Sequence, residues 1–274
     1  MIKVKVYQIN GDDERELIRE ETINDQGLVR SVVNYEDYSP TYITTEYDEK
    51  GQIIKEIEEQ DGVELSRTEV IYNEDGTAIN NKHFISGELF EEHVVDIFDG
   101  GKTERSIQYG EEISRMAESK DGTQSVREYF NNGVLDEKHI LTFDKASNTE
   151  DIQVLATDDK LLSNRKIVYN DEGYVTLYQE RSESDQIIVS EESEYKNGLL
   201  ISELKKDFYS NDHYKITYGY DDNGNNVSIE VRTLSDKLLQ FKKMEYDDQN
   251  RLIHESGLMH GEDLTLDYEY ENLN

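Results

Sequence analysis

Apolar and polar residues alternate one by one through much of the chain, which is the period of a β-strand with two different faces. Two segments show the alternation most clearly, and their apolar positions are Tyr214, Ile216, Tyr218 and Tyr220, and Leu264, Leu266, Tyr268 and Tyr270. The pattern predicts strands with an aromatic side and a polar side. The best helix candidate, residues 111–119, is short, so no long amphipathic helix is expected.

A second pattern is a repeat that returns about every 25 residues: an aromatic residue, Asp or Asn, two further residues, and Gly. The clearest copies are Tyr47-Asp48-Glu49-Lys50-Gly51, Tyr72-Asn73-Glu74-Asp75-Gly76, Tyr169-Asn170-Asp171-Glu172-Gly173 and Tyr220-Asp221-Asp222-Asn223-Gly224. Degenerate copies begin at Ile23, Phe98, Phe143, Tyr195, Tyr246 and Tyr270, with one more near Ser119. Each copy predicts a tight turn in which Asp or Asn bonds the backbone and Gly takes positive φ.

A further turn signal, such as Asp61-Gly62 or Ser86-Gly87, follows many of these aromatic residues by about half a repeat. Two turns per repeat imply two strands per repeat. The predicted fold is therefore all-β: a long antiparallel β-meander of about ten two-stranded repeats, forming a twisted or spiral sheet. About twenty strands would extend about 90 Å if flat. A single Pro40 and no Gly/Ser-rich linker favour one domain over residues 1–274, with atypical end repeats.

The repeats resemble the YD repeats of the bacterial RHS family, whose unit runs Tyr-Asp-x-x-Gly-Arg-Leu. The resemblance extends over nearly the whole chain, and residues 246–252 also match the second half of the unit. It implies a strip of β-hairpins and an association with toxic proteins. A segment at Tyr195-Lys196-Asn197-Gly198 is similar to the short repeats of MORN-like bacterial antitoxins, which implies the same association.

Charge limits the classes of partner that the chain can bind. Asp and Glu total 62 against 29 Lys and Arg, which gives a formal net charge of −33. This field repels nucleic acid and anionic membranes and attracts a basic protein. Cysteine is absent, which excludes disulfides and thiolate metal sites. The first residues lack the apolar core of a signal peptide, so a cytoplasmic location is expected.

The sequence predicts no enzyme, no metal site and no cofactor. Paired carboxylates occur throughout so acidic a chain by chance, and the six histidines lack metal-ligand spacing. No phosphate-binding glycine loop or nucleophile elbow is present. One feature of the repeat does suggest a site, because the residue before the repeat tyrosine is acidic in four copies. These four candidate partner-binding residues are Glu46, Glu194, Glu245 and Glu269.

Alternation should place these glutamates on the polar face, with Glu194, Glu245 and Glu269 in one acidic field. Charges that prevent two sheets from stacking explain the same pattern, and that alternative stays open. The function predicted from the sequence is a non-enzymatic acidic protein that neutralises or carries a basic protein partner, such as a toxic effector. The alternative is a structural or surface module of RHS type, as a fragment of a longer exported shell or carbohydrate-binding protein. The sequence leaves the oligomeric state open.

Overall fold

The computed structural model describes residues 1–10, 14–35, 38–122, 124–259 and 261–273. Within these ranges every regular element is a β-strand, which confirms the all-β prediction. The strands are β1 (Ile2–Ile9), β2 (Arg15–Ile23), β3 (Val29–Asn34), β4 (Thr41–Tyr47), β5 (Ile53–Gln60), β6 (Val63–Tyr72), β7 (Ala78–Ile85), β8 (Glu88–Phe98), β9 (Gly101–Gln108), β10 (Glu111–Asp121), β11 (Gln124–Asn131), β12 (Val134–Asp144), β13 (Thr149–Ala156), β14 (Leu161–Tyr169), β15 (Val175–Ser182), β16 (Ile187–Lys196), β17 (Leu199–Asp207), β18 (Asp212–Tyr220), β19 (Asn226–Thr233), β20 (Leu238–Tyr246), β21 (Leu252–Met259) and β22 (Glu262–Asn272). The helix candidate at 111–119 lies inside β10.

The 22 strands form one closed antiparallel sheet. Each strand pairs with its neighbour in the chain, as a meander requires, and β1 also pairs with β22 through contacts such as Val6 opposite Tyr268. The prediction of an open twisted or spiral sheet is therefore wrong. At about 4.8 Å per strand and a strand tilt of about 40°, the ring has a circumference of roughly 138 Å and a width of roughly 44 Å, in place of a 90 Å strip. Sheet twist and strand stagger bring the first and last strands together.

Opposite charges line the seam between β1 and β22. The Lys5 ammonium lies 2.7 Å from the Glu271 carboxylate, and Arg15 in β2 reaches across to Glu269 at 2.9 Å. The hydrogen bond to Glu271 raises the pKa of Lys5 above its ordinary value. The N-terminal strand thus supplies the cations and the C-terminal strand the anions, so the seam is closed by charge pairing as well as by backbone hydrogen bonds.

The repeat motif forms the turn that its residues predict, as residues 247–251 show. Asp247 Oδ1 accepts hydrogen bonds from the amides of Gln249 and Arg251, and the Asn250 amide donates to the Asp247 carbonyl at 3.0 Å. Asn250 has a φ of 58°, so the residue that replaces Gly takes the left-handed conformation that the motif requires. The turn prediction is confirmed.

The repeat tyrosine has a structural partner that the sequence alone did not reveal. Its hydroxyl donates to a backbone carbonyl just beyond the turn of the preceding repeat, 18 to 20 residues earlier. These bonds run from Tyr47 to Val29 (2.6 Å), Tyr72 to Ile53 (2.9 Å), Tyr220 to Leu200 (2.8 Å), Tyr246 to Asn226 (3.1 Å) and Tyr270 to Leu252 (2.9 Å). Each of these five tyrosines therefore links its own repeat to the preceding repeat by a hydrogen bond.

The sheet has two chemically different faces. We call the side that carries the repeat tyrosines Tyr47, Tyr72, Tyr169, Tyr195, Tyr220, Tyr246 and Tyr270 the tyrosine face. The opposite side, which carries Glu46, Glu194, Glu245 and Glu269, is the glutamate face. The tyrosine face is the more buried of the two, but the described residues include only four buried hydrophobic side chains: Val4, Val6, Leu141 and Val154. Such a small core leaves cross-strand contacts and the tyrosine bonds to hold the sheet together.

The ring has two rims, and all the repeat turns lie on one of them because each repeat contains two strands. We call this the turn rim; its connections are 24–28, 48–52, 73–77, 99–100, 122–123, 145–148, 170–174, 197–198, 221–225 and 247–251. The opposite edge is the far rim. Its connections are 10–14, 35–40, 61–62, 86–87, 109–110, 132–133, 157–160, 183–186, 208–211, 234–237 and 260–261.

Candidate partner-binding surface

The four predicted glutamates all lie on the face opposite the repeat tyrosines, as alternation predicted. Their surroundings are less acidic than expected, because each faces a polar or basic residue on the next strand. Glu46 lies 3.7 Å from the Lys55 ammonium, and Glu269 pairs with Arg15 at the seam. Glu194 accepts a hydrogen bond from the Ser202 hydroxyl at 3.2 Å.

The structure does not gather Glu194, Glu245 and Glu269 into one compact field. Glu245 on β20 and Glu269 on β22 are two strands apart, roughly 10 Å. Between them stands His254, which is opposite Glu245 and lies 2.8 Å from the Asp267 carboxylate. Glu194 on β16 lies four strands from Glu245. The glutamate face is therefore a mixed surface of acids and bases.

The carboxylates buried on the tyrosine face are also matched by cations. Glu118 is only 2% exposed, and its carboxylate accepts a hydrogen bond from Ser125 at 2.8 Å and lies 3.4 Å from Arg127. Burial by itself raises the pKa of Glu118, but the bond from Ser125 and the nearby cations hold that pKa below its ordinary value. Glu255 has a comparable partner in Lys242 at 2.5 Å. These charges are neutralised in place and leave little field to attract a partner.

Carboxylates outnumber cations most strongly on the rims. In the described residues, the connections of the turn rim carry twelve carboxylates against three cations. Those carboxylates belong to Asp25, Asp48, Glu49, Glu74, Asp75, Asp99, Asp171, Glu172, Asp221, Asp222, Asp247 and Asp248. The described connections of the far rim carry seven carboxylates against two lysines: Glu14, Asp61, Asp158, Asp159, Glu183, Asp185 and Asp236 against Lys160 and Lys237. The strands carry 39 carboxylates against 24 cations in the described residues, so each rim has more carboxylates per cation than the strands taken together.

Many acids of the turn rim already serve the turns themselves. A hydrogen bond from the Arg251 side chain, with further bonds from turn amides, holds the pKa of Asp247 below its ordinary value. The side chain of Asn225, together with turn amides, lowers the pKa of Asp221 in the same way. These two carboxylates stay charged, but they are half-buried and their oxygens are occupied, so they contribute more to the long-range field than to direct contacts.

Residues of the far rim that sequence reasoning missed are the exposed tyrosines Tyr38, Tyr109 and Tyr209. They fall in connections and not in the alternating strands, so the search for strand periodicity did not select them. A signal was present at Tyr109-Gly110, where an aromatic residue occupies a turn position that elsewhere holds Asp, Ser or Asn.

No group of three or more His, Cys, Asp or Glu side chains in the described part of the chain is arranged to hold a metal ion. Within the same residues, no helix has the length and apolar character needed to cross a membrane. A depression of about 540 Å³ lies on the tyrosine face beside the seam and is lined in part by Arg19, Glu21 and Tyr268. Arg19 hydrogen-bonds Glu21 there, so its charge is already paired.

No family model matches the chain, and no curated protein matches it. Among solved structures, the crystal structure of TcdB2-TccC3 is similar over 87% of this chain and 17% of that one, at 13% identity and a TM-score of 0.25. The Tc holotoxin pore of Photorhabdus luminescens gives 12% identity and a TM-score of 0.23, with 87% and 16% covered. A porin-like protein from Bacteroides uniformis gives 10% identity and a TM-score of 0.34, with 98% and 96% covered. This chain therefore spans about a sixth of the two toxin structures, and at these scores none of the three assigns it a family or an activity.

Proposed function

We propose that this chain is a non-enzymatic acidic binding protein that neutralises or carries a basic protein partner. The observation that supports the proposal is the distribution of the −33 charge. The described strands hold 39 carboxylates against 24 cations, whereas the rims hold nineteen described carboxylates against five cations. A rim of one sign projects its field into solvent and speeds the approach of a protein of opposite charge.

A toxic effector is the class of partner that the resemblance to RHS repeats and MORN-like antitoxins suggests. The closed ring fits a binding role because it presents two rigid rims of fixed outline. A binding protein that is pre-organised in this way loses less conformational entropy on binding than a flexible acidic tail would lose. The predicted glutamates then act as part of the steering field, with Glu46 and Glu269 restrained by their ion pairs.

The test is the salt dependence of association with a basic protein probe, for which lysozyme serves, followed by stopped-flow mixing. The association rate should fall at least tenfold as the Debye length shortens from about 30 Å at 0.01 M salt to about 8 Å at 0.15 M. An acidic probe protein of similar size should not bind at either salt concentration. A rate for lysozyme that does not change with salt, or no binding at all, would contradict the proposal and favour a structural module.

Charge-reversal variants show which surface provides the electrostatic attraction. Glu194→Lys with Glu245→Lys changes the glutamate face by four units, and Asp222→Lys with Asp248→Lys changes the turn rim by the same amount. Because the turn rim has four carboxylates for each cation and the strands have fewer than two, the turn-rim pair should slow association more than the glutamate-face pair. Glu269 is left out of this design, since a lysine there would face Arg15 and open the seam. A larger decrease in the association rate for the glutamate-face pair would favour the glutamates predicted from the sequence as the binding site.

A further inference from the structure

The most exposed apolar side chains of the described residues all lie along the far rim. Five such side chains are more than 60% exposed: Tyr38 (107%), Val63 (61%), Tyr109 (75%), Val134 (69%) and Tyr209 (93%). Each lies in a far-rim connection or is the first residue of a strand that leaves one. On the turn rim, by contrast, the exposed tyrosine Tyr174 stacks on Tyr195 with ring centres 4.9 Å apart. Exposed apolar groups gathered on one edge are typical of a surface that contacts a partner.

Tyr109 occupies a position that turn chemistry disfavours. It begins the two-residue turn 109–110 with a φ of 49°, and the equivalent residues of sister turns are Asp61, Ser86 and Asn132. Asp and Asn tolerate this left-handed conformation, whereas a bulky aromatic residue is strained in it. Strain of this kind concentrates at functional sites. The turn therefore keeps its tyrosine at a cost in stability.

The far-rim tyrosines differ from most of the repeat tyrosines in having free hydroxyls. Tyr220 and four other repeat tyrosines donate to backbone carbonyls and Tyr169 donates to the Glu150 carboxylate, but within the described residues the hydroxyls of Tyr38, Tyr109 and Tyr209 have no partner. The Tyr109 ring packs edge to face against Phe90 at 5.4 Å, which fixes its direction. The connections that hold these three tyrosines carry no described carboxylate of their own, and the seven carboxylates and two lysines of the far rim lie in its other connections. Aromatic faces beside carboxylates bind Lys and Arg side chains by cation–π and charge contacts.

We propose that the far rim is the docking surface for the basic protein partner, with Tyr38, Tyr109 and Tyr209 as its anchors. This inference rests on the proposed function and adds the place and the manner of binding. The three tyrosines stand six, eight and eight strands apart around the ring. On a ring roughly 44 Å across, a folded domain about 40 Å wide reaches all three at once, whereas a short extended peptide does not. The partner is therefore a compact basic domain that covers the rim, and not an extended peptide.

The first test uses Tyr109→Asn, which separates binding from folding. Asparagine relieves the left-handed strain, so the melting temperature should stay level or rise by about 2 °C. The dissociation constant for lysozyme should rise about threefold to fivefold through loss of one aromatic anchor. Unchanged affinity in this well-folded variant would contradict an anchoring role for Tyr109.

The second test removes all three anchors and compares probes of two sizes. The triple variant Tyr38→Ser, Tyr109→Ser and Tyr209→Ser should bind lysozyme about tenfold to a hundredfold more weakly. The matched control Tyr174→Ser on the turn rim should stay within twofold. Heptalysine, which spans too little of the rim to reach more than one anchor, should lose less than fivefold in the triple variant.

The outcomes separate this inference from the proposed function. Failure of the unaltered protein to bind lysozyme in a salt-dependent way would refute both. Salt-dependent binding that the triple variant keeps within twofold would leave the function standing and refute the far rim as the docking surface. Binding of neutral phosphatidylcholine vesicles by the unaltered protein, lost in the triple variant, would assign the rim to a lipid surface and also overturn the inference.

Discussion

Replacement of Tyr220 by Phe tests whether the tyrosine of the repeat motif fastens successive repeats together. The Tyr220 hydroxyl donates to the Leu200 carbonyl at 2.8 Å, across a gap of 20 residues in the chain. Phe keeps the ring and its packing and removes only the oxygen. The loss should therefore measure the hydrogen bond and not the apolar contact.

The expected magnitude follows from what the carbonyl loses. A typical hydrogen bond contributes about 1 kcal/mol net, and a partly buried carbonyl left without its donor adds a desolvation cost, so Tyr220→Phe should destabilise by about 1 to 2 kcal/mol. Tyr47, whose hydroxyl lies 2.6 Å from the Val29 carbonyl, is far away around the ring. The double variant Tyr47→Phe and Tyr220→Phe should therefore lose about the sum of the two single effects.

The assay is urea unfolding at neutral pH, with the midpoint compared at constant slope. Tyr209→Phe is the matched control, because that side chain is 93% exposed and its hydroxyl has no partner in the described structure. Its midpoint should match that of the unaltered protein within about 0.5 kcal/mol. If Tyr220→Phe shifted the midpoint no more than Tyr209→Phe, the repeat tyrosine would serve packing alone.

Three further predictions concern the turns, the seam and alkaline stability. Gly173→Val should destabilise the protein by at least about 1 kcal/mol in urea unfolding, because Gly173 has a φ of 85°. The control Glu172→Val, at an exposed position of the same turn, should have little effect. Equal unfolding midpoints for the two variants would show that the backbone conformation at Gly173 is unimportant. Lys5→Glu should speed amide hydrogen exchange in β1, because it removes the 2.7 Å ion pair with Glu271, and adding Glu271→Lys should restore the slow exchange. Unchanged exchange in Lys5→Glu would show that this ion pair contributes nothing to closure of the ring. Burial raises the pKa of Tyr268 to about 12, so the stability that this neutral phenol contributes is complete below pH 10 and is lost as pH rises through 12. Tyr268→Phe should weaken that alkaline loss in thermal melts, and identical pH profiles would contradict it.

The local structure of this protein is predictable because each repeat carries its own turn chemistry. Asn250 took positive φ as expected, and the twenty strands from β3 to β22 correspond to the ten repeats counted from Ile23. The two additional strands, β1 and β2, occupy the first 23 residues, where the motif is absent. Because the repeat motif predicts hairpins only where it occurs, it does not predict these first two strands.

Closure of the ring was not predictable from the repeat. Whether a sheet of this length spirals or closes depends on small twists and staggers added over 22 strands, and no single residue determines their sum. One long-range signal was present in the charges. On the glutamate face, β1 carries Lys3 and Lys5 and β22 carries Glu269 and Glu271, which is the complementarity expected of cross-strand neighbours.

The candidate site shows the same division between what local pattern determines and what the whole fold determines. Alternation placed Glu194 and Glu245 on the correct face, but it could not show that Ser202 and His254 stand opposite them. The net charge predicted the sign of the electrostatic field but not where it is strongest, because that depends on which carboxylates lie next to cations on neighbouring strands. In a closed antiparallel sheet those partners are plentiful on the faces and scarce in the connections. A strongly acidic repeat protein of this kind should therefore have its highest ratio of carboxylates to cations on its rims, which is also where a connection residue such as Tyr109 is exposed to a partner.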